Sequence, residues 1–375
     1  MKLIRIVVLI LCVCFVPVAW AQKLTCNVYT PWAEFHRYNM RRSNPCEKVV
    51  NVNNVGSLGL KWSYTTGNQV LPSPAVANGV VYVGSADGNV YALKASTGAK
   101  LWSYTTGNQV WSSPAVANGV VYVGSMDGNM YALNAGTGAL LWSYAVGGGL
   151  SSPAVANGVV YVGSADGNVY ALKASTGALL WSYATGYVDS SPAVANGVVY
   201  VGSRDNNVYA LNASTGAKLW SYATGNQVES SPAVANGVVY VGSWDGNVYA
   251  LRVRTGAKLW SYATGNAVVS SPAVANGVVY VGSLDDNVYA LNASAGAKLW
   301  SYTTGNAVYL SSPAVANGVV YVGSYDNNVY ALKASTGAKL WSYTTGYIVD
   351  SSPAVANGVV YVGSRDNNVY AFGLK

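Results

Sequence analysis

A single histidine, His36, stands in the 375 residues, and cysteine occurs only four times. One imidazole cannot build a multi-histidine metal site, nor a Ser-His-Asp triad within the repeats that begin after it. Charged residues are scarce, at 9%, and most acidic ones are a single Asp recurring in the same turn. No stretch carries the apolar spacing of an amphipathic helix. The net charge of +7 is mild for this length, and the short basic run Arg37, Arg41 and Arg42 reads as solvated surface rather than a nucleic-acid site. What is present is apolar and β-prone: 51% hydrophobic residues, 41 Gly and 30 Tyr, the composition of an all-β protein.

The first residues have the form of an export signal. Lys2 and Arg5 precede an apolar stretch, Ile6 to Val18, and Ala19-Trp20-Ala21 offers small residues for cleavage before Gln22. The stretch is short for a membrane span, which needs about 20 residues. An uncleaved anchor is the alternative. Cys12, Cys14 and Cys26 lack the small residues that precede a lipid-modified cysteine. Residues 1–21 are therefore the expected signal, 22–58 a lead-in, and 59–375 the folded domain, periplasmic or extracellular and monomeric. Loss of Lys2 and Arg5 lowers the net charge from +7 to +5. Cys26 and Cys46 remain as an even pair in an oxidising compartment, which points to a disulfide, with two free thiols as the alternative.

From residue 59 onward the chain is one repeat. Pro-Ala-Val-Ala-Asn-Gly-Val-Val-Tyr-Val-Gly-Ser begins at Pro74, Pro114, Pro153, Pro192, Pro232, Pro272, Pro313 and Pro353, eight copies spaced 39 to 41 residues apart. Such a period marks a solenoid or a propeller. Turn signals divide each unit into four short strands, which is one propeller blade. In the first unit these are Ser73–Ala77, Val80–Ser85, Asn89–Lys94 and Lys100–Tyr104. Asn78-Gly79 and Asp87-Gly88 supply hairpin turns that need positive φ.

The ends decide how the string closes. Eight tryptophans recur in the fourth strand, at Trp62, Trp102, Trp142, Trp181, Trp220, Trp260, Trp300 and Trp341. Trp62 precedes the first repeated proline, and nothing like a fourth strand follows Pro353. The last unit thus lacks an outer strand and Gly59 to Tyr64 is a spare one. A closed eight-bladed ring uses the spare to complete the last blade, leaving no ragged edge.

Ala92-Leu93-Lys94-Ala95-Ser96-Thr97-Gly98-Ala99-Lys100-Leu101-Trp102 resembles the tryptophan-docking motif of quinoprotein dehydrogenases, Ala-x-Asp-x-x-Thr-Gly-x-x-x-Trp. The chain is similar to the pyrroloquinoline-quinone (PQQ)-like β-propeller repeat family over all eight repeats. Its Asp is replaced here by Lys94, Asn134, Lys173, Asn212, Arg252, Asn292 and Lys333, which puts one inter-blade hydrogen bond in doubt. The resemblance implies either oxidation of alcohols or sugars with PQQ and calcium, or scaffolding, as in the outer-membrane β-barrel assembly machinery. The dehydrogenases carry an adjacent-cysteine disulfide and a Glu, Asn and Asp set around calcium, neither of which is seen here. The assembly scaffold is lipid-anchored, which this sequence does not support.

Other candidate chemistry is weak. Asp-Gly-Asn at Asp87, Asp127, Asp166 and Asp245 offers one carboxylate per turn, whereas a calcium loop needs several oxygens at alternating spacing; turn chemistry explains it better. Asp285-Asp286 is the one acidic doublet. The sequons at Asn212 and Asn292 recur only because the repeat does.

Differences between near-identical copies show what the fold leaves free. Three residues before each Pro stand Leu71, Trp111, Leu150, Asp189, Glu229, Val269, Leu310 and Asp350. Twelve after each Pro stand Ala86, Met126, Ala165, Arg204, Trp244, Leu284, Tyr325 and Arg365. Counting outward from the Asn-Gly turn makes Leu71 face Ala86, and the same count pairs Asp189 with Arg204, Asp350 with Arg365, Trp111 with Met126, and Val269 with Leu284. Both positions fall on one rim of the disc, and the other rim is uniform. The expectation is a varied face, with Tyr309 added, that binds a protein partner at the cell envelope without catalysis. Drift is the competing explanation, and a PQQ dehydrogenase and a carbohydrate-binding module are the alternative functions.

Overall fold

The computed structural model describes Ala33 and residues 42–375. The signal segment, His36, Arg37, Arg41 and Cys26 lie outside the described residues. Eight sheets form, one per repeat, each with four antiparallel strands: in seven blades the four follow in sequence, in the eighth the outer strand comes from the lead-in, and a short parallel strand adds a fifth to blade seven. The first blade comprises Ala75–Ala77, Val80–Gly84, Asn89–Lys94 and Lys100–Thr105. Asn78 (φ 50°) and Gly79 (φ 76°) take the left-handed geometry their hairpin demands.

The inner strand is shorter than the sequence suggests. Its ladder pairs Ala77 with Val80, Val76 with Val81 and Ala75 with Tyr82, and stops there. Pro74 has no amide to offer, and the Ser73 amide turns sideways to the Ser113 hydroxyl of the next blade at 2.9 Å. Leu71 and Ala86 are therefore not a ladder pair. Ala86 instead donates its amide to Gln69 O at 2.9 Å.

Blades are joined by the tryptophans. Trp102 packs on Tyr82 of its own blade, ring centroids 5.8 Å apart, and its indole N–H donates to Ala135 O of the next blade at 2.9 Å. A backbone carbonyl thus supplies the inter-blade bond that the missing Asp put in doubt. The ring lies flat over Gly138, where a Cβ would come within 2.7 Å of it. This explains the Thr-Gly-x-x-x-Trp pattern: the turn needs φ +74° and also room for the preceding blade's indole.

The spare strand does close the ring. Leu58–Thr65 pairs antiparallel with Asn368–Leu374, from Leu58 opposite Leu374 to Thr65 opposite Asn368. Blade eight has no Thr-Gly turn, so Trp341 of blade seven donates instead to Leu58 O of the lead-in at 3.0 Å. Phe372, where the other blades carry Leu, is fully buried beside Trp341 at 5.1 Å.

The lead-in also enters the centre. Ser43–Asn44 runs parallel to the inner strand of blade seven, and Ala33 O accepts from Val116 N of blade two. Arg42, expected on the surface, is fully buried. Its guanidinium donates to Pro313 O, Ser312 O and Pro353 O, so carbonyls of two blades replace its water. Cys46 is disulfide-bonded; its expected partner, Cys26, lies outside the described residues.

Candidate functional site

The loops that enter each blade and the turns between its second and third strands share one face. Thr106 N donates to Gly88 O at 2.8 Å and Val110 N to Ser85 O at 3.0 Å, tying loop to turn. The Asn-Gly and Thr-Gly turns meet on the opposite face, where Ala95 N donates to Gly79 O at 2.9 Å. The two-faced disc expected from the repeats is thus the observed one.

A cavity of about 90 Å³ opens at the centre of the varied face, and all eight residues three before the repeated prolines, from Leu71 round to Asp350, line it. Beneath them runs a belt of serines. Ser73 N donates to Ser113 Oγ, Ser113 N to Ser152 Oγ, and so on round the axis at 2.8 to 3.0 Å until Ser352 N donates to Ser73 Oγ. The circle is complete, so each blade's inner loop is held by its neighbour. Sequence reasoning missed this belt. Its only signal was a Ser before every repeated Pro.

The varied positions meet where opposite charges predict. Arg204 pairs with Asp189 at 2.6 Å and, across the blade boundary, with Glu229 at 3.1 Å. Arg365 pairs with Asp350 at 2.5 Å. Arg204 also lies over the Tyr187 ring at 4.4 Å, whereas Arg365 lies over Tyr325 of the preceding blade at 5.6 Å. Trp244 meets Tyr309 edge-on at 6.2 Å, and Tyr309 meets Tyr325 edge-on at 5.7 Å. An aromatic arc therefore runs from blade five to Arg365. Met126 and Leu284 occupy equivalent points, their amides bonded to Gln109 O and Ala267 O.

The rim is less exposed than expected. Trp111, Met126, Trp244, Tyr309, Leu310 and Tyr325 are half-buried, and Asp189, Val269 and Asp350 are buried. The entering loops bend toward the axis, which turns Trp111, Asp189, Val269, Leu310 and Asp350 on the cavity, while Met126, Trp244, Tyr309 and Tyr325 stand outside its lining. The most exposed large apolar residues are outer-strand leucines such as Leu101, together with Val49 of the lead-in and Tyr347 on the varied face.

Burial pushes the Asp189, Glu229 and Asp350 carboxyls above their usual range, against the pull of Arg204 on the first two and Arg365 on the third. The turn aspartates behave oppositely. Burial again favours protonation of Asp127, but bonds from the Tyr131 hydroxyl, the Asn129 and Gly107 amides and the Asn129 side chain outweigh it and hold the carboxyl low. These carboxylates serve the turn. Among the described residues no three His, Cys, Asp or Glu side chains group as metal ligands. A tricarboxylate such as PQQ would meet three buried carboxylates in this wall, and both rim arginines are already paired. The donor set does not fit it.

A family model described as outer membrane protein assembly factor BamB matches residues 57–187, 145–267, 224–314 and 307–375. No curated protein matches the chain. Among solved structures, BamB from Moraxella catarrhalis is similar with a TM-score of 0.73 and 22% identity, over 84% of this chain and 99% of that one. Quinohemoprotein alcohol dehydrogenase from Comamonas testosteroni gives a TM-score of 0.81 and 17% identity, over 92% of this chain and 80% of that one. The computationally designed Ika8 protein gives 0.73 and 21%, over 82% and 97%. At these identities the likeness is one of fold.

Proposed function

Because the chain belongs to the PQQ-like propeller family that the BamB model describes, we propose that it is a protein-binding scaffold of the cell envelope that docks its partner on the varied face. The observation that carries this reading is the division of labour between the two rims. Blades otherwise near-identical differ where their loops converge on the axial cavity, and they keep the same Asn-Gly turns on the other side. The varied positions include Trp111, Trp244, Tyr325, Arg204 and Arg365, aromatic residues and arginines of the kind that anchor protein interfaces. No helix among the described residues is long and apolar enough to cross a membrane.

The acidic wall counts against a bound anionic quinone, and with it against the dehydrogenase alternative. Trp244, Tyr309 and Tyr325 meet edge-on rather than as coplanar rings, which counts against the carbohydrate alternative. The test is a double substitution, Trp244→Ser with Tyr325→Ser. The partner that co-purifies from an envelope extract with the native protein is expected to be lost. Undiminished recovery with the variant rejects the proposal.

A further inference from the structure

The charges at the cavity are layered. Asp189, Glu229 and Asp350 have side chains only 3%, 7% and 0% exposed, whereas their partners Arg204 and Arg365 are 38% and 26% exposed. Carboxylates therefore lie deep and guanidinium groups lie at the mouth. Three negative charges against two positive leave one uncompensated. Arg42 does not cancel it. That guanidinium is absent from the cavity lining and donates to the Pro313, Ser312 and Pro353 carbonyls. Burial raises the pKa of all three rim carboxyls, and the rim arginines offset that only in part.

A second, independent feature faces the same space. Trp111 lines the cavity, and its indole N–H is buried with no acceptor among the described residues. An orphan donor of this kind costs roughly 1–3 kcal/mol until something accepts from it. The remaining wall is apolar, with Leu71, Leu150, Val269 and Leu310 among its side chains. The space thus offers carboxylates to a cation, an apolar collar to an alkyl stem, and one N–H to a carbonyl.

We propose that the cavity receives a lysine or arginine side chain projecting from the docked protein, with its cationic head toward Asp350 and Glu229 and a backbone carbonyl of the same segment accepting from Trp111. A free amine supplies the charge but not the carbonyl, so the features together select a peptide. The inference rests on the docking reading above and names what that partner inserts.

The probe is Nα-acetyl-lysine N-methylamide titrated into the full-length protein, followed by the Trp111 indole N–H resonance, which Trp111→Phe assigns. The signal is expected to move saturably. The norleucine analogue, the same four-carbon stem without the ammonium, and n-butylammonium, the charge without the amides, are each expected to bind about tenfold or more weakly. Asp350→Asn and Glu229→Gln, checked for native circular dichroism, are expected to weaken the lysine derivative further. A Trp111 resonance unmoved by the lysine derivative, equal binding of the norleucine analogue, or equal binding of butylammonium overturns the inference. Failure here with partner loss in the Trp244/Tyr325 variant leaves docking standing. Lysine binding with a partner indifferent to those substitutions rejects docking instead.

Discussion

Gly138 shows how narrowly single residues are specified. It must hold φ +74° while the Trp102 ring lies where a Cβ would stand, at 2.7 Å. Gly138→Ala is expected to cost about 1–3 kcal/mol, read as a lowered midpoint in urea unfolding. The carboxylates divide into two kinds with opposite pH signatures. Asp350 is held above its ordinary 3.8, so the stability it contributes is full below that value and is lost as pH rises through its folded pKa. Asp127 is held below 3.8, so its contribution is present above that value and is lost as pH falls through the folded pKa. Between pH 3 and pH 7, Asp350→Asn should gain in melting temperature relative to the native protein as pH rises. Asp127→Asn should lose ground over the same range. Identical trends for the two variants in thermal scans contradict this assignment. The repeats made Asp127 legible as a turn residue, and the charge matching made Asp350 legible as Arg365's partner. The depth of Asp350 was not legible, because burial depends on how eight loops lean toward one axis.

At the level of the strand and blade, closure was legible because strands can be counted: a spare Trp62 strand at one end answers a missing one at the other. The pairing of Leu58–Thr65 with Asn368–Leu374 follows from that count. What the count could not show is the second use of the lead-in. It supplies Leu58 O to Trp341 and threads Arg42 among carbonyls of blades seven and eight. A basic residue in a polar run carries no sign that backbone acceptors await it 270 residues away. The inner strand was read too long because alternation continues through Pro74, while the amide that would extend the ladder serves the serine belt instead. Transplanting residues 58–65 to follow Lys375, through a turn copied from residues 95–99, is expected to preserve a compact monomer on gel filtration. Deleting residues 58–65 leaves a sheet edge unpaired and is expected to give association or unfolding. A compact, stable monomer from the deletion contradicts the closure.

The whole molecule is a disc with one repeated face and one individual face. Eight nearly equal blades generate a symmetric axis. Asymmetry enters only through side chains at the loops around it, where Arg204 bridges two blades and the aromatic arc spans blades five to eight. The serine belt ties each inner loop to its neighbour around the axis. The most direct measurement places a photo-activated cross-linking residue at Trp244, Tyr325 or Tyr347 on the varied face and at Thr97, Thr215 or Thr336 in the uniform turns, with irradiation in living cells. Discrete higher-mass adducts are predicted from the first set and none from the second. Adducts from the uniform turns alone, or from both faces alike, contradict the account.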